Sequence, residues 1–98
     1  MATLQAFGPS YGDGQNIQVG AAAVQAHIDP YATSVRILNL AGFVVYVRVS
    51  ADGTPATAED FAVGPNQCST ITKGDAQGAI SLLGEGSGRV NVITGSGL

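Results

Sequence analysis

From residue 43 to residue 49 the chain reads Phe-Val-Val-Tyr-Val-Arg-Val, in which Phe43, Val45, Val47 and Val49 alternate with Val44, Tyr46 and Arg48. A period of two marks a strand, because successive side chains of an extended backbone leave on opposite faces. Val35 and Ile37 alternate in the same way with Arg36 and Leu38, and "NLAG" between the two runs has the residues of a tight turn. The stretch 35–49 is therefore expected to be a β-hairpin. Its second strand is apolar on both faces around Val44 and Tyr46, which predicts a cover over each face.

The rest of the chain carries shorter patterns of the same kind. Asp52-Gly53 suits a turn with positive φ and Pro55 does not suit a central strand, so "SADGTPATAED" is read as a loop with one helical turn at "TAEDF". "FAVGPNQCSTIT" predicts two strands broken at "GPN". "QGAISLLGEGSGRVNVIT" predicts two more, around Ile80 with Leu82 and Val90 with Val92, joined by a hairpin turn at "GEGSG". Upstream, "TLQAFG" and "QNIQVGAAAVQAH" are weaker strand candidates, and "GAAAVQA" also has the composition of a short helix. Six to eight short antiparallel strands, with turn signals every 8 to 12 residues or so, predict an all-β fold: a single-domain, jelly-roll-like β-sandwich over residues 1–98. The segment 1–14 and the tail 94–98 are expected either to fray or to become ordered along a partner.

Composition changes this picture in one respect. Charged residues make up 11% of the 98, under half the usual share of about 25%, so much of the surface must be uncharged and inexpensive to desolvate. The net charge of -3, from four basic and seven acidic residues, works against phosphate binding and makes nucleic acid an unexpected partner. The opening "MATLQAFGPS" has neither a basic nor an apolar signal region, and the longest apolar run, "AGFVVYV", is too short to cross a bilayer. Neither a cleaved signal nor membrane association is expected. The single cysteine, Cys68, cannot form an internal disulfide.

Little in the sequence points to chemistry. His27 is the only histidine, which leaves a conventional zinc-type site without ligands. His27 and Asp29 would share a strand face, an arrangement that could orient an imidazole, but it equally describes a surface pair before a turn. No serine, nor Cys68, stands in a nucleophile elbow. "GEGSG" lacks the lysine and following helix of a phosphate loop, "YGDGQN" and "SADGT" lack calcium-loop spacing, and Glu59 and Asp60 are adjacent and so diverge. No catalytic residue, cofactor or metal is assigned. Arg36, Arg48 and Arg89 are either solvated face residues or a set reaching a partner's carboxylates, with Arg36 and Arg48 expected close together on the hairpin. Phe7, Tyr11 and Tyr31 are either satellite core or interface anchors.

The "VRILNLAGFVVYVRVS" stretch, "FAVGPNQCSTI", and the ending "RVNVITGSGL" with its V-x-V-x-x-G-x-G-L pattern together resemble small β-rich virion proteins of tailed bacteriophages, most closely the capsid decoration or cement proteins. The resemblance implies a non-enzymatic virion component, made in the host bacterial cytoplasm and bound to the capsid exterior. Its partner would be the major capsid protein, and it would act as a homo-oligomer, a dimer or trimer, that stabilises the lattice. On that reading Phe7, Tyr11, Tyr31, Arg36, Arg48, Arg89 and Leu98 are the expected interface residues. The alternatives are a head-to-tail or tail-associated connector and, from another class, a carbohydrate-binding β-sandwich module. The last would want aromatic platforms, and the chain has no tryptophan and three tyrosines.

Overall fold

Among the described residues nine strands form in chain order: β1 (Gly8–Pro9), β2 (Gln15–Val19), β3 (Val24–His27), β4 (Ser34–Asn39), β5 (Val45–Ser50), β6 (Phe61–Val63), β7 (Cys68–Thr72), β8 (Ala79–Leu83) and β9 (Gly88–Ser96). They come from a computed structural model that describes residues 7–74 and 76–96. The described chain is all-β, about half of it strand, with no helix. "GAAAVQA" resolves as a bend followed by β3, and "TAEDF" as a single turn closed by Asp60 N–H donating to the Thr57 carbonyl at 3.1 Å.

All pairings are antiparallel and fall into two sheets. Sheet A runs β1-β9-β4-β7, with β2 also pairing β9 on the β1 side; sheet B runs β3-β8-β5-β6. Residues of alternating parity point inward from both. Val19, Val35, Ile37, Val90 and Val92 of sheet A meet Val45, Val47, Val63, Ile80 and Leu82 of sheet B in one buried cluster. Burying a valine-sized side chain contributes about 1.5–3 kcal/mol, so this shared inner layer holds the two sheets together.

The expected hairpin over 35–49 is not formed. β4 pairs with β7 and β9, whereas β5 pairs with β6 and β8, so the chain crosses from one sheet to the other between residues 39 and 45. The same correction holds at "GEGSG": β8 lies in sheet B and β9 in sheet A. The physical reason is that alternation records only which side of a strand is buried. Two apolar rows can lie side by side on one sheet, or face each other across the core, with the same sequence pattern.

Asn39 ties the crossing together. It stands in register with inward-facing Val35 and Ile37 and is 0% exposed. Its amide donates to the carbonyls of Phe43 (2.8 Å), Val63 (3.1 Å) and Gly64 (3.1 Å), while its Oδ1 accepts from Ala41 N–H (2.9 Å). One side chain thus closes both the β4–β5 crossing and the end of β6. The glycines of "GEGSG" serve the adjacent end of the core. A Cβ on Gly84 would come 2.7 Å from the Phe43 ring, and one on Gly88 would come 2.5 Å from the Ala41 Cβ. They let the Phe43 ring close over that end, and no phosphate-binding role is needed to account for them.

Residues 94–96, expected in a tail, continue β9. Thr94 and Gly95 pair with Val35 and Ser34 of β4, and Gly95 and Ser96 pair with Pro9 and Gly8 of β1. Of the N-terminal segment 1–14, residues 8–9 are therefore in the sheet. Residues 1–6, which include most of the candidate strand "TLQAFG", and residues 97–98 lie outside the described residues.

Candidate functional site

The outer faces of the two sheets are treated differently by the chain. On sheet B the loop from Ala51 to Asp60 folds back over part of the outer face, around Ser81. Ala56 is buried there, and its N–H donates to the hydroxyl of Ser81, itself 1% exposed, at 2.8 Å. The Gln25 amide ties the loop at Gly53 to the edge strand β3. Tyr46, also on this outer face, is half-buried.

On sheet A the outward residues are Asn16 and Gln18 of β2, Arg89, Asn91 and Ile93 of β9, Arg36 and Leu38 of β4, and Cys68, Thr70 and Thr72 of β7. Arg36, Cys68, Thr72 and Arg89 are exposed. Phe7 is laid on one end of this face, and Gly95 makes that possible. A Cβ at Gly95 would run into the Gly8 carbonyl oxygen and come 2.8 Å from the Phe7 ring.

Beside it the Arg36 guanidinium carbon sits 6.0 Å from the centre of the Phe7 ring, at the outer reach of a cation–π contact. Arg36 Nε donates to the Cys68 sulfur at 2.9 Å. Phe7, Pro9, Tyr11, Arg36, Leu38 and Ile93 enclose most of a shallow depression of about 440 Å³. Tyr11 stands at its rim, 89% exposed. Asn91, next along β9, donates to the Asn16 Oδ1 at 3.1 Å and extends a neutral polar band toward Arg89.

The structure therefore brings together three of the expected interface residues, Phe7, Tyr11 and Arg36, and leaves Tyr31, Arg48 and Arg89 apart from them. Arg89 shares the outer face of sheet A but lies four residues from Ile93 along β9, about 13 Å away at strand spacing. Tyr31 is 85% exposed in the β3–β4 connection. Arg48 is on sheet B, not beside Arg36, because β4 and β5 belong to different sheets; its Nη1 lies 3.3 Å from Asp60 Oδ1. Leu98 lies outside the described residues.

Leu38 and Ile93 were not among the expected site residues, although the sequence carries a signal for them. Each follows directly on a core residue, Ile37 or Val92, and two adjacent apolar positions in a strand place one on the outer face.

Of the chemistry-bearing groups weighed from the sequence, the carboxylates of Asp29, Asp52 and Asp60 are engaged locally. Asp29 Oδ1 accepts the Tyr31 N–H at 2.9 Å in a turn, and the His27 carbonyl accepts from the Gln15 amide at 2.6 Å. Asp60 accepts from Thr57 N–H at 2.8 Å as well as from Arg48. The Asp52 carboxyl is held below its ordinary value of 3.8, first by the Thr54 hydroxyl and next by the Thr54 backbone N–H. Among the described residues no group of three or more His, Cys, Asp or Glu side chains is placed to hold a metal ion, and no helix is long and apolar enough to cross a membrane.

No family model matches the chain, and no curated protein matches it either.

Proposed function

We propose that the chain is a non-catalytic structural virion protein, a jelly-roll β-sandwich that binds the outside of a tailed-phage capsid and stabilises the lattice. The observation that carries this reading is the asymmetry of the two outer faces. Sheet B is covered around Ser81 by the chain's own loop at Ala56. Among the described residues, sheet A offers an open, mostly uncharged face with an apolar depression rimmed by Tyr11 and Arg36. Tyrosine and arginine beside a small apolar pocket are the residue types that anchor protein interfaces, and the neutral surroundings cost little to desolvate.

The jelly-roll assignment is supported by strand order. From β2 onward, consecutive strands cross between the sheets except at β5–β6, giving β2-β9-β4-β7 opposite β3-β8-β5-β6. Eight strands in two Greek keys of this kind recur in viral capsid domains. The chain's resemblance to decoration proteins agrees with that architecture, and the major capsid protein is the partner it implies.

The test is binding to undecorated shells of the phage that encodes the chain. Tyr11→Ser and Arg36→Ala alter exposed side chains, so folding should survive, and each is expected to weaken shell binding by about tenfold or more, as loss of an interface anchor does. Tyr31→Ser, in the β3–β4 connection, is expected to bind as the wild type. Equal binding by all of them would overturn the assignment of this face.

A further inference from the structure

The strands at the sheet edges are not equally protected against pairing with another chain. The β1/β2 edge is interrupted by Pro9 and by the turn from Tyr11 to Gly14, and β6 is only three residues long. β3 has four residues, and the carbonyl of its last, His27, is already taken by Gln15. β7 is different: Cys68–Thr72 pairs with β4 through an unbroken register, with no proline, charge or bulge. Proteins ordinarily guard such an edge with one of these. The neighbouring cations are turned elsewhere. Lys73 is 6% exposed and its ammonium donates to the Pro30 carbonyl at 2.9 Å, while Arg36 lies against Cys68 and Phe7.

The hydrogen-bond phase of β7 is fixed at both its ends. Asn39 N–H donates to the Gln67 carbonyl (2.9 Å) and Lys73 N–H to the Thr33 carbonyl (3.0 Å). In an antiparallel ladder, residues alternate between bonding toward one neighbour and toward the other. Ser69 and Ile71 therefore bond to β4, and the N–H and C=O groups of Cys68, Thr70 and Thr72 point outward from the sheet. This outward set is symmetric about Thr70.

We propose that two copies of this chain pair through β7, antiparallel, across a two-fold axis at Thr70. Thr70 then faces its own counterpart, and Cys68 of each copy faces Thr72 of the other. Every outward backbone group of the strand is satisfied, because each facing pair exchanges both bonds. The edge is uncharged, so the two copies meet without repulsion, and the contact is isologous and closes on itself. The axis is perpendicular to the sheet, which turns both copies' Phe7–Tyr11–Arg36 depressions to the same side. The dimer rests on β7 alone and does not depend on the capsid reading; if that reading holds, the dimer is bivalent toward the shell.

Sedimentation of the purified chain at submillimolar concentration should give twice the chain mass of 9.8 kDa. Thr70→Pro removes the central outward N–H at a place where an edge strand tolerates proline, and should halve the sedimenting mass with the far-ultraviolet circular dichroism retained. If that variant does not fold, Thr70→Lys provides the same block by an edge charge. Thr72→Cys should cross-link two chains under oxidised glutathione: one thiol of each copy is oxidised to a disulfide as each glutathione disulfide is reduced to two thiols.

The facing Cα atoms would be about 5.5 Å apart, within disulfide reach. Within one chain, positions 68 and 72 are about 13 Å apart and cannot bridge. A wild-type monomer or trimer, a Thr70→Pro or Thr70→Lys variant that stays dimeric, or no covalent dimer from Thr72→Cys would each overturn the inference. A monomer that still saturates shells would overturn it while leaving the capsid reading standing. A dimer that ignores shells would do the reverse.

Discussion

Replacing Asn39 with leucine tests whether one polar side chain determines how the chain passes between the sheets. Leucine has the same branched skeleton of heavy atoms as asparagine and is apolar, so a position that served only to fill space would accept it at the modest cost of its larger methyl groups. Here the substitution strips a donor from the carbonyls of Phe43, Val63 and Gly64 and an acceptor from the Ala41 N–H. The bonds to Val63 and Ala41 are buried, and leaving each such group without a partner costs about 1–3 kcal/mol. The Phe43 and Gly64 carbonyls are part-buried, so water recovers some of their loss. The expected total is about 3–5 kcal/mol, a large fraction of the 5–15 kcal/mol or so available to a domain. It corresponds to a fall in Tm of about 15–30 °C for a chain of this length. Urea titration followed by far-ultraviolet circular dichroism measures it. A loss below about 1 kcal/mol, the scale of a single ordinary hydrogen bond, would refute the role given to Asn39.

Val45→Asp puts an unpaired carboxylate between the sheets at a position 0% exposed, and should abolish cooperative folding at neutral pH; unchanged melting would show the core to be wrongly placed. Gly95→Val forces β1 and the Phe7 ring off β9, which should cost about 1–3 kcal/mol and raise amide exchange at Phe7 and Gly8; unaltered exchange there would contradict the packing described. Thr54→Val should move the titration midpoint of Asp52, followed by NMR, upward toward 3.8. Because the folded value is the lower one, any stability Asp52 contributes is present above the unfolded value and is lost as pH falls through the folded one; an unmoved midpoint would show that Thr54 is not the cause.

The sequence made the strands legible and their partners much less so. The inward rows at Val35/Ile37, Val45/Val47, Ile80/Leu82 and Val90/Val92 are where alternation puts them, because burying one face of a sheet imposes a period of two. Partner choice is not periodic. Glycine-rich and asparagine-containing connections are compatible both with a turn within one sheet and with a crossing between two, and only Asn39, a polar residue at an inward position, carried the distinction.

The meeting of Phe7, Tyr11 and Arg36 depends on residues as far apart in the chain as Phe7 and Gly95, 88 positions, and no local pattern encodes it. The separation of Arg36 from Arg48 follows from the same crossing. Arg36, Arg48 and Arg89 were legible as exposed strand residues, but which of them shared a face was set by topology.

The copy number of the chain on saturated shells addresses the capsid assignment most directly. Purified protein is mixed with undecorated shells, sedimented, and quantified against the major capsid protein. Lattice binding predicts saturation at a fixed ratio with copies in the hundreds or so, as the many equivalent positions of a closed shell require. Failure to co-sediment would contradict decoration outright, and saturation at about ten copies, the count of a ring at one vertex, would contradict it in favour of a connector.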